Sequence, residues 1–146
     1  MIGSEKPPRT LGRYTGFLLN WVGQRSRKNF ADGLAEIGIH PREFAILLII
    51  SEQPGITQQG LGTETDIDAS TMVAALDSLE ERGFAERRVH PDDRRKRAVH
   101  LTPAGETALD RARAVAEAVG RDSFGRLNAT EQKQLNALLR KAAGLD

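Results

Sequence analysis

One break in periodicity constrains this chain more than any other feature. Met72, Leu76 and Leu79 recur at helical spacing, and the stripe stops at Gly83. Glycine there suits a left-handed helix end, and Phe84 stands where such an end makes its apolar contact. The period then changes. Phe84 to Val89 and Ala98 to Leu101 read as short β-type segments, separated by Pro91-Asp92-Asp93 and the basic run Arg94-Arg95-Lys96-Arg97. A helix that runs straight into a hairpin with a charged tip leaves few folds open.

The flanking sequence narrows them further. Residues 11–30 predict a helix, with Leu11, Tyr14, Leu18, Trp21 and Val22 at spacings of three and four, and Gly33 and Gly38 as punctuation after it. His40-Pro41 opens a second helix, because proline fits the first helical position. The unbroken apolar run Phe44 to Ile50 makes that helix buried on most sides, and Pro54-Gly55 ends it. Thr57 predicts an N-cap for a short helix through Leu61. Asp66-Ile67-Asp68 predicts a turn, with Asp68 capping the helix of the Met72 stripe. Beyond the hairpin, Thr102-Pro103 starts a helix with Leu109, Ala112, Ala116 and Val119 on one face. Asn128-Ala129-Thr130-Glu131 is a capping-box pattern for a last helix carrying Leu135, Leu138, Leu139 and Ala142. The expected fold is therefore mainly α: a winged helix-turn-helix with a two-stranded β-wing and further helices at both ends. Such a unit docks on DNA, its second helix in the major groove and its wing in the neighbouring minor groove.

The formal charge of +1 hides a strong asymmetry. Residues 1–30 hold six bases against one acid, 31–83 two against ten, and 84–100 six against three. Distribution, not the sum, governs binding to a polyanion. With no cysteine, the chain has no disulfide, no thiolate nucleophile and no thiol-based metal or redox site. No apolar stretch reaches the length of a membrane span, and residues 1–10 lack a signal-peptide core, so a cytoplasmic location is expected. His40, His90 and His100 show no metal-ligand spacing, and no nucleophile–base constellation stands out, so neither a metal, a cofactor nor an enzymatic activity is expected.

Three strings carry a family resemblance: Leu79-Glu80-Glu81-Arg82-Gly83-Phe84-Ala85-Glu86-Arg87-Arg88, Pro91-Asp92-Asp93-Arg94-Arg95, and Val99-His100-Leu101-Thr102-Pro103-Ala104-Gly105. In order and spacing they resemble the MarR family of bacterial transcription regulators, whose pattern runs Leu-Glu-x-x-Gly-[Leu/Phe]-x-x-Arg, Asp-x-Arg, Leu-Thr-x-x-Gly. The resemblance implies a homodimer on a pseudo-palindromic operator. It assigns 1–36 and 103–146 to dimerisation helices and 37–102 to the winged helix-turn-helix. A ligand-responsive repressor is the implied activity.

Residue roles follow. Asp93 and Arg95 match Asp-x-Arg, a carboxylate orienting a guanidinium for a narrow minor groove. Arg94, Lys96 and Arg97 are expected to meet phosphates. Of Arg87 and Arg88, one should contact a phosphate and the other support the wing, with Arg88 placed in the DNA-contacting set. Ser70 and Thr71 open the recognition helix within reach of phosphates or base edges. Val73 and Ala74 stand where many family members carry Thr and Arg, which shifts the reading toward thymine methyls and DNA shape. Asp77 fits near DNA only if an arginine neutralises it. Thr57, Gln58 and Gln59 are expected at the backbone. Trp21 and Arg25, with His40 and Phe44, are candidates for a pocket that holds a small aromatic or anionic effector. The competing reading is a winged-helix module that binds a protein partner and has weak or lost DNA affinity, motivated by Val73, Ala74 and the acidic middle segment.

Overall fold

A computed structural model describes residues 6–145. Among them the chain forms α1 (Thr15–Glu36), α2 (Pro41–Glu52), α3 (Gln58–Thr65), α4 (Ala69–Glu81), β1 (Ala85–Val89), β2 (Arg97–Leu101), α5 (Pro103–Ser123) and α6 (Ala129–Ala142). Two compact units divide it: Ala31–Val115, and the residues up to Phe30 together with those from Ala116.

The central unit has a closed core. Ile46, Leu47 and Ile50 of α2, Leu61 of α3, Met72, Leu76 and Leu79 of α4, Val99 of β2 and Leu109 of α5 are all at most 1% exposed. Each fully buried side chain of this size contributes roughly 1.5–3 kcal/mol of transfer free energy. The wide apolar run of α2 is used as its width requires, with Phe44, Leu48 and Ile49 partly buried around the same core.

Local chemistry sets the element ends, and three differ from expectation. The first helix begins at Thr15, not residue 11, because Leu11 and Gly12 donate to the Pro8 carbonyl in turns. It continues through Gly33 and closes only at Gly38, whose φ is +71°. Fully buried Leu34 holds the helix past Gly33, and its carbonyl accepts the Ile39 N–H at 3.0 Å. The third helix runs past Leu61 to Thr65 and stops at Asp66, which turns left-handed with φ 54°. Its glycines cost helix propensity, but burial of Leu61 outweighs that cost.

α4 ends as the Gly83-Phe84 pair predicts. Gly83 has φ +71°, its N–H donates to Glu80 O at 2.9 Å, and the Phe84 N–H donates to Leu79 O at 2.8 Å. These are the two bonds of a Schellman motif. The chain then enters an antiparallel hairpin in which Ala85 faces Leu101 and Arg87 faces Val99. The start of α5 closes onto the same turn. The Thr102 hydroxyl donates to Gly83 O, its N–H donates to Phe84 O at 3.1 Å, and its Oγ1 accepts the Gly105 N–H at 3.0 Å. A Cβ added at Gly105 would lie 1.9 Å from the Phe84 carbonyl oxygen, so only glycine fits there. The Gly-Phe and Leu-Thr-x-x-Gly strings are thus two sides of one contact.

The other unit is more open. Phe17 and Trp21 of α1 stack at 6.3 Å. α6 is amphipathic and begins with the predicted capping box on Asn128 and Glu131, yet it buries no residue, and Leu138 and Leu139 are 66% and 37% exposed.

Candidate functional site

The exposed face of α4 carries Ser70, Val73, Ala74 and Asp77. Their i, i+3, i+4, i+7 spacing puts them on one side of the helix, about two per turn. The helix contains no Lys or Arg. At its N-terminus, Asp68 Oδ1 accepts the Thr71 N–H at 2.9 Å and the Ser70 hydroxyl at 2.7 Å, and Oδ2 accepts the Thr71 hydroxyl at 2.6 Å. The Thr71 hydroxyl above all, then its N–H and the Ser70 hydroxyl, hold the Asp68 carboxyl far below the usual carboxylate range. Both hydroxyl protons therefore serve the cap, and only the oxygens' acceptor sides face outward.

The wing is built differently. Asp93 Oδ1 accepts from Arg95 N at 3.0 Å and Nε at 3.2 Å, and Oδ2 from Nη2 at 3.4 Å. The Arg95 guanidinium is the main cause holding the Asp93 carboxyl below its ordinary value. Arg95 is still 91% exposed, so it is oriented without being buried. Arg97 bends back, its Nη1 donating to the Arg94 and Lys96 carbonyls at 3.2 and 3.4 Å. Arg94, Lys96 and Arg97 are exposed.

α3 and the wing share a groove. Thr57 caps α3 by accepting the Gly60 N–H at 3.0 Å. Thr57, Gln58 and Gln59 then line a cleft of about 220 Å³ with Arg95, Lys96 and Arg97. The wing is also tied to the chain before α3: Gly55 N donates to Val99 O at 3.0 Å, Val99 N donates to Ile56 O at 2.9 Å, and Thr57 bridges Ala98.

The two strand arginines separate clearly. Arg88 is 60% exposed and pairs with Glu86. Arg87 turns inward: its Nε donates to Glu80 Oε2 at 3.0 Å, its Nη1 to Gln58 Oε1 at 3.4 Å, and its Nη2 to Asp77 and Glu80. Asp77 thus has the arginine it requires. Sequence reasoning did not find Glu80 as the partner, although Glu80 and Arg87 are both fixed letters of the string that carried the resemblance. A second clamp was missed entirely. Glu43, 8% exposed, pairs with Arg82 at 2.8 Å and accepts the Ser78 hydroxyl at 3.2 Å, tying α2 to the end of α4.

The four effector candidates are divided between the two units, two in each. Trp21 and Arg25 line one cavity of about 330 Å³ with Leu18, Asn29, Ser123 and Arg126. Ser123 Oγ is buried there and has no hydrogen-bond partner among the described residues. His40 and Phe44 belong to the central unit. His40 caps α2, its Nδ1 accepting the Arg42 N–H at 3.2 Å, and Phe44 packs against the core. Among the described residues no cluster of three or more His, Asp or Glu is placed to hold a metal, and no helix is long and apolar enough to cross a membrane.

A family model described as MarR family matches residues 37–96. The transcriptional regulator HosA of Escherichia coli is 33% identical over 99 residues, 68% of this chain and 73% of that protein. The chain belongs to the MarR family. A putative transcriptional regulatory protein for the hcr operon of Thauera aromatica is 34% identical over 104 residues; that match covers 71% of this chain and 63% of the relative's length. Among solved MarR-like structures, the transcriptional repressor CouR bound to a 23-mer DNA duplex superposes with a TM-score of 0.78 at 30% identity, covering 97% of this chain and 99% of that one. CouR of Rhodococcus jostii RHA1 has also been solved bound to p-coumaroyl-CoA.

Proposed function

We propose that this MarR-family protein is a repressor that binds a pseudo-palindromic operator as a homodimer and is released by a small aromatic or anionic effector. In this reading it acts in the cytoplasm and has no enzymatic activity. The observation that carries it is the Asp93–Arg95 pair, a guanidinium held in one orientation at an exposed hairpin tip beside a helix with a solvent-facing stripe. That arrangement suits a narrow, electronegative minor groove next to an occupied major groove. Thr57, Gln58, Arg94, Lys96 and Arg97 surround it as phosphate contacts, Arg88 adds an exposed cation, and Ser70, Thr71, Val73 and Ala74 face the bases.

The exposed leucines of α6 support a second copy as the partner, with 1–36 and 103–146 as the pairing helices and 37–102 as the DNA-binding part. The cavity at Trp21 and Arg25 supplies an aromatic surface, a cation and an unsatisfied hydroxyl, which suits an aromatic acid. CouR, solved on DNA and with an aromatic thioester, lends both halves of the reading support by similarity.

The test is selection of duplexes from a random pool, followed by binding to the selected site across a salt series. The expected result is a two-fold-related sequence bound with steep salt dependence and released by a member of an aromatic-acid panel. Failure to enrich any duplex at low salt, with a protein partner captured instead, would replace this reading with the protein-interaction module.

A further inference from the structure

We infer that Arg87 is the positioning residue that sets the wing against the recognition helix, so that the two grooves are read as one rigid unit. This rests on the operator-binding reading above and goes beyond it by assigning a role to a residue outside the proposed DNA-contacting set.

The argument starts from the weakness of a two-stranded hairpin. Alone it is marginally stable, so its direction must come from what it is tied to. β2 has backbone ties, through Gly55 and Ile56 to Val99 and through Thr57 to Ala98. β1 has a different kind. The Arg87 backbone N–H donates to Glu80 Oε1 at 2.7 Å, and its guanidinium reaches Glu80 and Asp77 on α4 and Gln58 on α3. Arg87 faces Val99 across the hairpin, so both sets of ties meet at the same rung. One planar fork with several fixed donors joins three elements, which an ammonium on a flexible stem cannot reproduce.

The lever arm makes the tie consequential. From the Arg87 rung to the tip at Pro91 is four residues, about 13 Å of extended chain. A tilt of about 10° at the rung moves the tip by roughly 2 Å, a third of the width of a minor groove of about 6 Å. Arg95 is aimed by Asp93 within the tip, but the direction of the whole tip is set at Arg87. The same contact pairs two of the three acids of α4, Asp77 and Glu80, with a cation.

The discriminating variant is Arg87→Lys, which keeps the charge and loses the fork. The full-length protein is titrated onto its selected duplex, and groove contacts are mapped by minor-groove hydroxyl-radical and major-groove methylation protection. The expected result is about tenfold weaker binding, loss of wing protection in the minor groove, and retained protection in the major groove. Combined with Arg95→Ala, the double variant should bind no more weakly than Arg87→Lys alone, since that variant has already withdrawn Arg95 with the rest of the wing. Glu80→Gln, which loosens the lock from the other side, should give the same footprint. Wild-type affinity for Arg87→Lys, or losses that multiply in the double variant, would overturn the inference while leaving operator binding intact. Loss of cooperative melting in both Arg87→Lys and Glu80→Gln would also overturn it, by making the contact a requirement for folding. If the wild type enriches no duplex, the operator reading itself fails.

Discussion

The recognition helix and the wing face the same proposed ligand and are built on opposite principles. α4 is held by burial: Met72, Leu76 and Leu79 are sunk in the core, its outward residues Ser70, Val73 and Ala74 carry no charge, and the acid on the same face, Asp77, is paired with Arg87. The wing buries little beyond Ala85, Ala98 and Val99, and concentrates four cations in four consecutive positions. Rigid shape without charge suits the reading of methyl groups and groove geometry, whereas charge on a light frame suits affinity and salt dependence. Under the operator-binding proposal, the difference teaches that specificity and attraction are divided between two elements, and that the joint between them matters as much as either.

That division can be broken or sharpened, beginning with the joint. Gly105→Ala drives a Cβ into the Phe84 carbonyl, at the turn where α4 becomes the wing. It should destabilise the fold by about 3 kcal/mol, the upper end for overpacking, lower the melting temperature by roughly 5–10 °C and weaken both elements together. Arg95→Ala should spare stability and reduce operator affinity by about tenfold or more, measured by anisotropy titration, with the loss confined to wing contacts. Asp68→Ala acts on the helix alone. It removes the N-cap of α4 and should lower the melting temperature by a few degrees at neutral pH.

The sign of the pH dependence follows from the lowered Asp68 pKa. The cap is fully present above the ordinary value of 3.8 and is lost as pH falls below it, toward the depressed folded-state value. The wild type and Asp68→Ala should therefore converge in stability in strong acid. The smallest expected effect is Arg97→Ala, which should flatten the salt dependence of binding by about 0.9 in log–log slope and leave base preference unchanged.

Much of this design was legible in the residues. Caps at Thr57, Asp68 and Asn128 are local chemistry, and each is found where its side chain predicts. The Gly83-Phe84 helix end is equally local. The boundaries that moved did so because distant burial decided them: Leu34 carries α1 past Gly33, and Leu61 carries α3 through two glycines. The Asp93–Arg95 pair spans two residues and could be anticipated, whereas Arg87 meets acids seven and ten positions earlier across a chain reversal. Nothing in linear spacing says which of two adjacent arginines turns inward. The alternation of a strand decides it, once the register against Val99 is known. His40 has the same lesson in reverse, since an aromatic base at a helix start is used here as a cap.

The chain contains a single tryptophan, and it is Trp21, stacked on Phe17 at the wall of the cavity it shares with Arg25. Intrinsic fluorescence excited at the red edge therefore comes from one known place, far in sequence from every residue assigned to DNA. Quenching or a spectral shift on adding a small molecule reports on that cavity without any label. The same emission, followed while duplex is added instead, shows directly whether occupancy at the wing is felt at Trp21.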